Sequence, residues 1–207
     1  NKRKINRLNV RDNSYEPSRE GYSVGAVFSL KTAGLDENGL QMFYNKQGEK
    51  VSFNDFFGLE YGYMMGGLIP FLKSNLSAEE YRNLFTYEGT TEPKFTGGWI
   101  NRFYYKNFDL TVSASFVLDQ TVQEQPFYNP VQTSPGQNYS RRMSQIWSPD
   151  NTSGKYPRIM GTYTEGEENW AYQWLGMLDP GNSYRKYDYW FKKMSYMRIN
   201  SIRLGYT

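Results

Sequence analysis

Cysteine and histidine are both missing from the 207 residues. Without thiols the chain has neither disulfides nor a thiolate nucleophile, and without imidazole it lacks the commonest metal ligand and general base. Long apolar runs are missing too. No stretch of about 18 apolar residues occurs and the opening does not read as a secretory signal, so a transmembrane helix is not expected. A β-barrel would show neither feature, because its apolar residues alternate. Excess charge of one sign is also lacking: 24 Lys and Arg stand against 21 Asp and Glu, a formal net charge of +3. The basic residues are scattered except in the opening Asn-Lys-Arg-Lys, which reads as a solvated strand end or tail, so no nucleic-acid partner is expected.

Aromatic residues are abundant. Nineteen Tyr, 13 Phe and 5 Trp make up 18% of a chain whose hydrophobic residues total only 38%. Such a mixture suits β-structure, sugar-facing surfaces and membrane-interface girdles. The plainest geometry lies in Gly97–Leu118, GGWINRFYYKNFDLTVSASFVL. There Phe108, Leu110, Val112, Ala114, Phe116 and Leu118 alternate with Asp109, Thr111, Ser113, Ser115 and Val117, the period of a strand. A two-residue turn at Lys106-Asn107 puts Tyr105 opposite Phe108, Phe103 opposite Leu110 and Trp99 opposite Ala114, all on the apolar side. Tyr104, Arg102 and Ile100 then share the face of Asp109, Thr111 and Ser113. The run matches the 9–11 residues of a tilted membrane strand and exceeds the usual ~5–6 of a soluble one. A soluble β-sandwich hairpin carries the same alternation.

Elsewhere the chain alternates and turns. Residues 22–31 predict a strand, with Tyr22, Val24, Ala26, Phe28 and Leu30 on one side. Asp36-Glu37-Asn38-Gly39 and Asn45-Lys46-Gln47-Gly48 predict the turns of a small meander. The first turn lacks the later bidentate Glu of an EF-hand, so no metal is expected there. Residues 51–75 have no clear period and read as loop with short strands. Ser77 and Glu80 fit a capping box, with Leu76 and Tyr81 as a hydrophobic staple, predicting a helix over 78–85. From Asp119 to about Tyr184 the chain reads as irregular, with a helix over 140–147, an acidic patch at Glu165–Glu168, and then Trp170, Tyr172 and Trp174. Tyr187–Thr207 is strand-like again, its phase slipping at Asn200-Ser201 as at a bulge, so that Arg203 points to the polar side.

Four segments taken together carry a family resemblance: EGYSVGAVFSLKTAGLDENG at Glu20–Gly39, EPKFTGGWINRFYYKNFDLTVSASF at Glu92–Phe116, WSPDNTSGKYPR at Trp147–Arg158 and SYMRINSIRLGYT at Ser195–Thr207. In this order and spacing the chain resembles the C-terminal barrel region of SusC/RagA-type TonB-dependent outer-membrane transporters of Bacteroidetes. The resemblance implies an all-β fold: antiparallel strands forming part of a large transmembrane β-barrel of about 22 strands, with long extracellular loops carrying short helices. It further implies the cell outer membrane, import of glycan or peptide fragments with energy from the TonB complex, a SusD-like surface lipoprotein as lid, and no cofactor. Residues 1–207 contain no recognisable N-terminal domain, TonB-contacting box, plug or terminal aromatic strand. The ends read like those of a piece of a longer protein, and the whole stretch is expected to be a fragment of a barrel domain, TonB acting through a part not contained in it. Only four or five strands look long enough for a barrel wall, whereas closure takes at least ~8.

On this reading Phe103, Phe108, Leu110, Val112, Ala114 and Phe116 face lipid, and Arg102, Thr111, Ser113 and Ser115 face the lumen. Tyr104, Tyr105 and Asp109 lie near the periplasmic rim, because periplasmic turns are short. Trp170, Tyr172 and Trp174 are candidates for substrate or lid contact, with loop packing as the plainer role. No catalytic residues and no metal ligands are expected; Glu167 and Glu168 have no partner carboxylate at a defined separation. The alternative is a soluble, secreted β-sandwich that binds carbohydrate, with Leu110, Val112 and Phe116 in its core and Trp174 on the sugar.

Overall fold

The computed structural model describes residues 4–5, 15, 17–64, 69–131, 133, 136–159, 174–175, 179 and 182–207. The fold is all-β and antiparallel, with ten strands and two short helices among these residues. Ala26–Ser29 (β1) pairs with Thr86–Thr90 (β7); Thr32–Leu35 (β2), Gln41–Tyr44 (β3) and Lys50–Val51 (β4) form the expected meander. Leu59–Met64 (β5) and Ile69–Ser74 (β6) form a hairpin. Phe95–Tyr105 (β8), Phe108–Gln123 (β9) and Phe191–Tyr206 (β10) make a separate three-stranded sheet in the order β10-β9-β8.

Local chemistry accounts for the small elements. Gly39 and Gly48 close the two meander turns at φ +76° and +81°, and the indole of Trp147 lies where a Gly39 side chain would be. Asp36 Oδ1 accepts from the Asn38 and Leu40 amides at 2.9 and 2.7 Å, so this carboxylate serves the turn. Ala78–Asn83 (α2) starts on the expected capping box, Ser77 Oγ accepting from the Glu80 amide and Glu80 from the Ser77 amide. Its other end is held by Arg19, whose Nη2 donates to the carbonyls of Arg82 and Phe85. Phe53–Phe56 (α1) begins on Ser52, which accepts from the Asp55 amide and donates to the Asp55 carboxylate.

Three expectations change. The strand expected from Tyr22 begins at Ala26, because the Ala26 amide turns back to the Ser23 carbonyl and the Gly25 carbonyl is taken by the Thr91 amide. The stretch expected to be irregular from Asp119 stays in β9 through Gln123, since β10 pairs with it to that point. The helix expected over 140–147 is a 3-10 turn at Arg141–Gln145.

The core is aromatic. Phe28, Phe43, Phe53, Phe56, Phe57, Tyr81, Phe85, Tyr156, Trp174, Tyr187 and Trp190 all belong to one buried cluster. Phe43 stacks on Phe56 at 4.3 Å between centroids, and Tyr156 on Trp190 at 5.5 Å with planes 11° apart. Rings of this size bury large areas and gain edge-to-face contacts, so a few short elements suffice to cover the core. Leu30 bridges in parallel to Tyr187, its amide donating to the Lys186 carbonyl at 2.8 Å, which ties the N-terminal sheets to the segment before β10.

Candidate functional site

The three-stranded sheet is the feature the aromatic core does not cover. Lys106 at φ 51° and Asn107 make the tight turn between β8 and β9, and the register follows: Tyr105 opposite Phe108, Phe103 opposite Leu110, Trp99 opposite Ala114. On the other side of β9, Tyr206 lies opposite Phe108, Leu204 opposite Leu110, Ile202 opposite Val112, Ile199 opposite Ala114 and Met197 opposite Phe116. One face therefore presents aromatic and aliphatic side chains across all three strands, Asn101 and Gly97 being the breaks in it.

The bulge between Ile199 and Ser201 keeps this face continuous. Met197 and Ile199 precede it at odd positions; Ile202, Leu204 and Tyr206 follow at even ones. One extra residue in β10 restores the phase against the unbroken alternation of β9. A second bulge, between Met194 and Tyr196, lets the Ser195 hydroxyl accept from the Asp119 amide at 3.0 Å.

Most of the apolar face is bare. Leu204 is 72% exposed, Ile202 64% and Phe103 52%. Phe108 is exposed, while Leu110, Val112 and Phe116 are half-buried by strand neighbours, Phe116 lying across Gly97 where a side chain is lacking. Ala114 is buried between its cross-strand neighbours Trp99 and Ile199. None of these residues joins the core cluster. The β-sandwich alternative needs Leu110, Val112 and Phe116 inside a protein core, and among the described residues they are not in one.

The opposite face is mostly polar, with Ile100, Tyr104, Val117 and Tyr196 as its apolar and aromatic members. Arg102, Thr111 and Arg203 form one row; Ile100, Ser113 and Ser201 the next; Gly98, Ser115 and Arg198 the third. Ser113 Oγ and Ser201 Oγ are 2.8 Å apart, and Ser115 Oγ donates to Asn200 Oδ1 at 3.2 Å, so the hydroxyls are joined across the strands.

Where the sheet meets the body, Glu124 is flanked by Arg142 and Lys192, both in ion-pair contact with its carboxylate. The hydrogen bond from Lys192, then that from Arg142, holds the Glu124 carboxyl below its ordinary range against the opposing effect of partial burial. Arg142 also donates to Tyr156 OH at 2.8 Å and lies over the Phe127 ring at 4.5 Å. One guanidinium thus fastens the 3-10 turn to the end of β9 and to Tyr156 and Phe127 of the aromatic body.

Trp174 requires a correction as a candidate ligand contact. It is 2% exposed and packs on Phe57 at 4.9 Å between centroids and on Phe53 at 6.3 Å, so its flat face is spent on the core. Trp170 and Tyr172 lie outside the described residues. Two surface cavities flank the loops: one of about 540 Å³ beside Trp147, Met143 and Arg158, and one of about 490 Å³ beside Tyr128, Asn129 and Asn182. Among the described residues no group of His, Cys, Asp and Glu could hold a metal ion, and no helix is long and apolar enough to cross a membrane. The latter says nothing of strands.

Fold and site together define an all-β antiparallel protein with an aromatic core and a bare two-faced sheet. No family model matches the chain, and no curated protein matches it. Among solved structures it is similar to the RagAB peptide importer in its open-open state, at 14% identity and a TM-score of 0.47, over 88% of this chain. The matched region spans 17% of that importer chain.

Proposed function

We propose that the chain is a segment of the wall of an outer-membrane transporter, with β8, β9 and β10 crossing the bilayer and the aromatic body outside it. The observation that carries this reading is the bare apolar face running across three long strands whose other face is mostly polar. That sidedness is the pattern of a membrane barrel wall. Ten residue steps from Phe108 to Leu118 rise about 33 Å, or roughly 25 Å when tilted by about 40°, which matches the apolar band of such a barrel. At the turn end Tyr104, Tyr105, Phe108 and Tyr206 are exposed, Phe108 and Tyr206 at 5.0 Å between centroids, in the place of an aromatic girdle.

In this reading Phe103, Phe108, Leu110, Val112 and Phe116 meet membrane lipid, joined by Met197, Ile199, Ile202 and Leu204, while Ala114, expected on the same face, is covered by Trp99 and Ile199 and does not reach it. Arg102, Thr111, Ser113 and Ser115 meet the lumen, and the Lys106-Asn107 turn faces the periplasm. The four segments that resemble SusC/RagA-type transporters favour the finer assignment: a nutrient importer of glycan or peptide fragments, powered through TonB and capped by a SusD-like lipoprotein, and not an enzyme. Trp170 and Tyr172 are the proposed contacts for substrate or lid.

The test uses the absence of cysteine, which makes any introduced thiol unique. Single cysteines at positions 112 and 204, and separately at 111 and 203, are labelled with an environment-sensitive dye in the full chain and mixed with lipid vesicles. Dyes at 112 and 204 are expected to shift to the blue and to be quenched by nitroxide-bearing lipids, while those at 111 and 203 are not. A monodisperse, folded chain in plain buffer whose four dyes respond alike to lipid sinks the reading.

A further inference from the structure

The polar face of the β8–β9–β10 sheet carries more positive charge than its own residues neutralise. Arg102 and Arg203 flank Thr111 in one cross-strand row, and Arg198 stands two rows further along, opposite Ser115. All three side chains are exposed, and none makes an ion pair among the described residues. In these rows and the adjoining Tyr104–Asp109–Gly205 row, Asp109 is the lone carboxylate. The Ser113 and Ser201 hydroxyls are joined to each other and that of Ser115 to Asn200, so these hydroxyls are committed within the sheet while the guanidiniums point donors outward.

Spacing narrows what such a face can take. Strands lie about 4.8 Å apart, so Arg102 and Arg203 are rooted about 10 Å from each other, and Arg198 is offset along the strands by about 13 Å. Each guanidinium presents a planar fork of donors that matches a carboxylate. Phosphate-rich partners fit less well: the cations are three isolated points, and the chain has no sustained basic run. Exposed Ile100 and Tyr104 lie among the arginines and offer apolar and aromatic contact of the kind protein surfaces use.

We propose that this polar face docks an acidic protein surface, one that presents at least two carboxylates about 10 Å apart, each pairing with one of Arg102 and Arg203. Arg198 adds a third contact, and Asp109 repels acidic groups that settle one row out of register. The inference concerns the face opposite the apolar one and does not depend on what covers the latter.

The probe is an oligoglutamate peptide of about ten residues, titrated against the full chain in a neutral detergent, with oligolysine as control. Oligoglutamate is expected to bind and oligolysine not. The double substitution Arg102→Gln/Arg203→Gln is expected to weaken binding by at least about tenfold, and Arg102→Lys/Arg203→Lys by less, since a point charge keeps attraction without the fork. Asp109→Asn is expected to tighten binding, whereas Lys46→Gln, in the distant second meander turn, leaves it unchanged. The proposal is overturned if the wild-type chain ignores oligoglutamate, or if Arg102→Gln/Arg203→Gln binds it as well as wild type. It is equally overturned if phosphatidylglycerol vesicles compete the peptide away from the arginines, since the face would then be a lipid site. These outcomes are independent of the dye positions that test the membrane reading.

Discussion

Trp174 shows what one residue can and cannot reveal. A flat aromatic in an irregular, aromatic-rich stretch reads equally well as a ligand platform or as core, because no period marks which side of the chain is inside. Its position against Phe53 and Phe57 decides the matter. Truncating a buried tryptophan leaves a large cavity, so Trp174→Ala is expected to lower the stability of the body by about 3–5 kcal/mol, read as a drop in the urea midpoint. An unchanged midpoint would show that the indole is not packed as described. Ser52 and Asp55 make the opposite case. A serine followed three residues later by an acid was present in the sequence, yet α1 is only four residues long, too short for any apolar period to announce it.

At the scale of elements, β9 was the most legible part of the chain. Its alternation sets both faces, and the Lys106-Asn107 turn sets the register of β8, so the facing pairs follow residue by residue. β10 was legible up to its bulge at Asn200, where the phase slip in the sequence marks the extra residue. The second bulge at Ser195 was not legible, because Lys192 and Lys193 give no apolar phase to slip. The two faces of β9 predict opposite tolerances. Val112→Arg is expected to weaken insertion of the chain into bilayers by about 2–4 kcal/mol, and Thr111→Arg by much less, when bilayer partition is followed by tryptophan fluorescence. Equal losses for both substitutions would mean that the sheet does not lie in a bilayer with its apolar face to lipid.

For the molecule as a whole, Glu124 is one of the groups that join sheet and body, beside Gln120, which donates to the Thr91 carbonyl, and Gln123, which donates to the Arg185 carbonyl. The Glu124 amide donates to the Trp190 carbonyl at 2.6 Å, while its carboxylate is held by Lys192 and Arg142. Its pKa is lowered on folding from an ordinary value of 4.5. The stability it contributes is therefore fully present above that value and is lost as pH falls through the lower, folded-state pKa. Wild type should melt above Glu124→Gln at neutral pH, and the gap should narrow once the pH falls below the ordinary 4.5 and close as it passes the lower, folded-state pKa. A gap independent of pH would assign the effect to packing instead. The pair is partly exposed, so added salt should narrow the gap as well.

What the sequence determined by itself is local and periodic: the two-faced hairpin, the meander turns closed by Gly39 and Gly48, the capping box of α2, the bulge in β10 and the absence of cysteine and histidine chemistry. Each depends on neighbours within a few residues, or on a period of two, and both are properties of a linear string. Only the tertiary structure decided which aromatics are core, that β9 runs on to Gln123, that the apolar faces of three strands align into one bare surface, and that Arg102, Arg198 and Arg203 share the other. These follow from pairings between residues as far apart as Thr111 and Arg203, and a contact across that separation leaves no mark in either segment read alone.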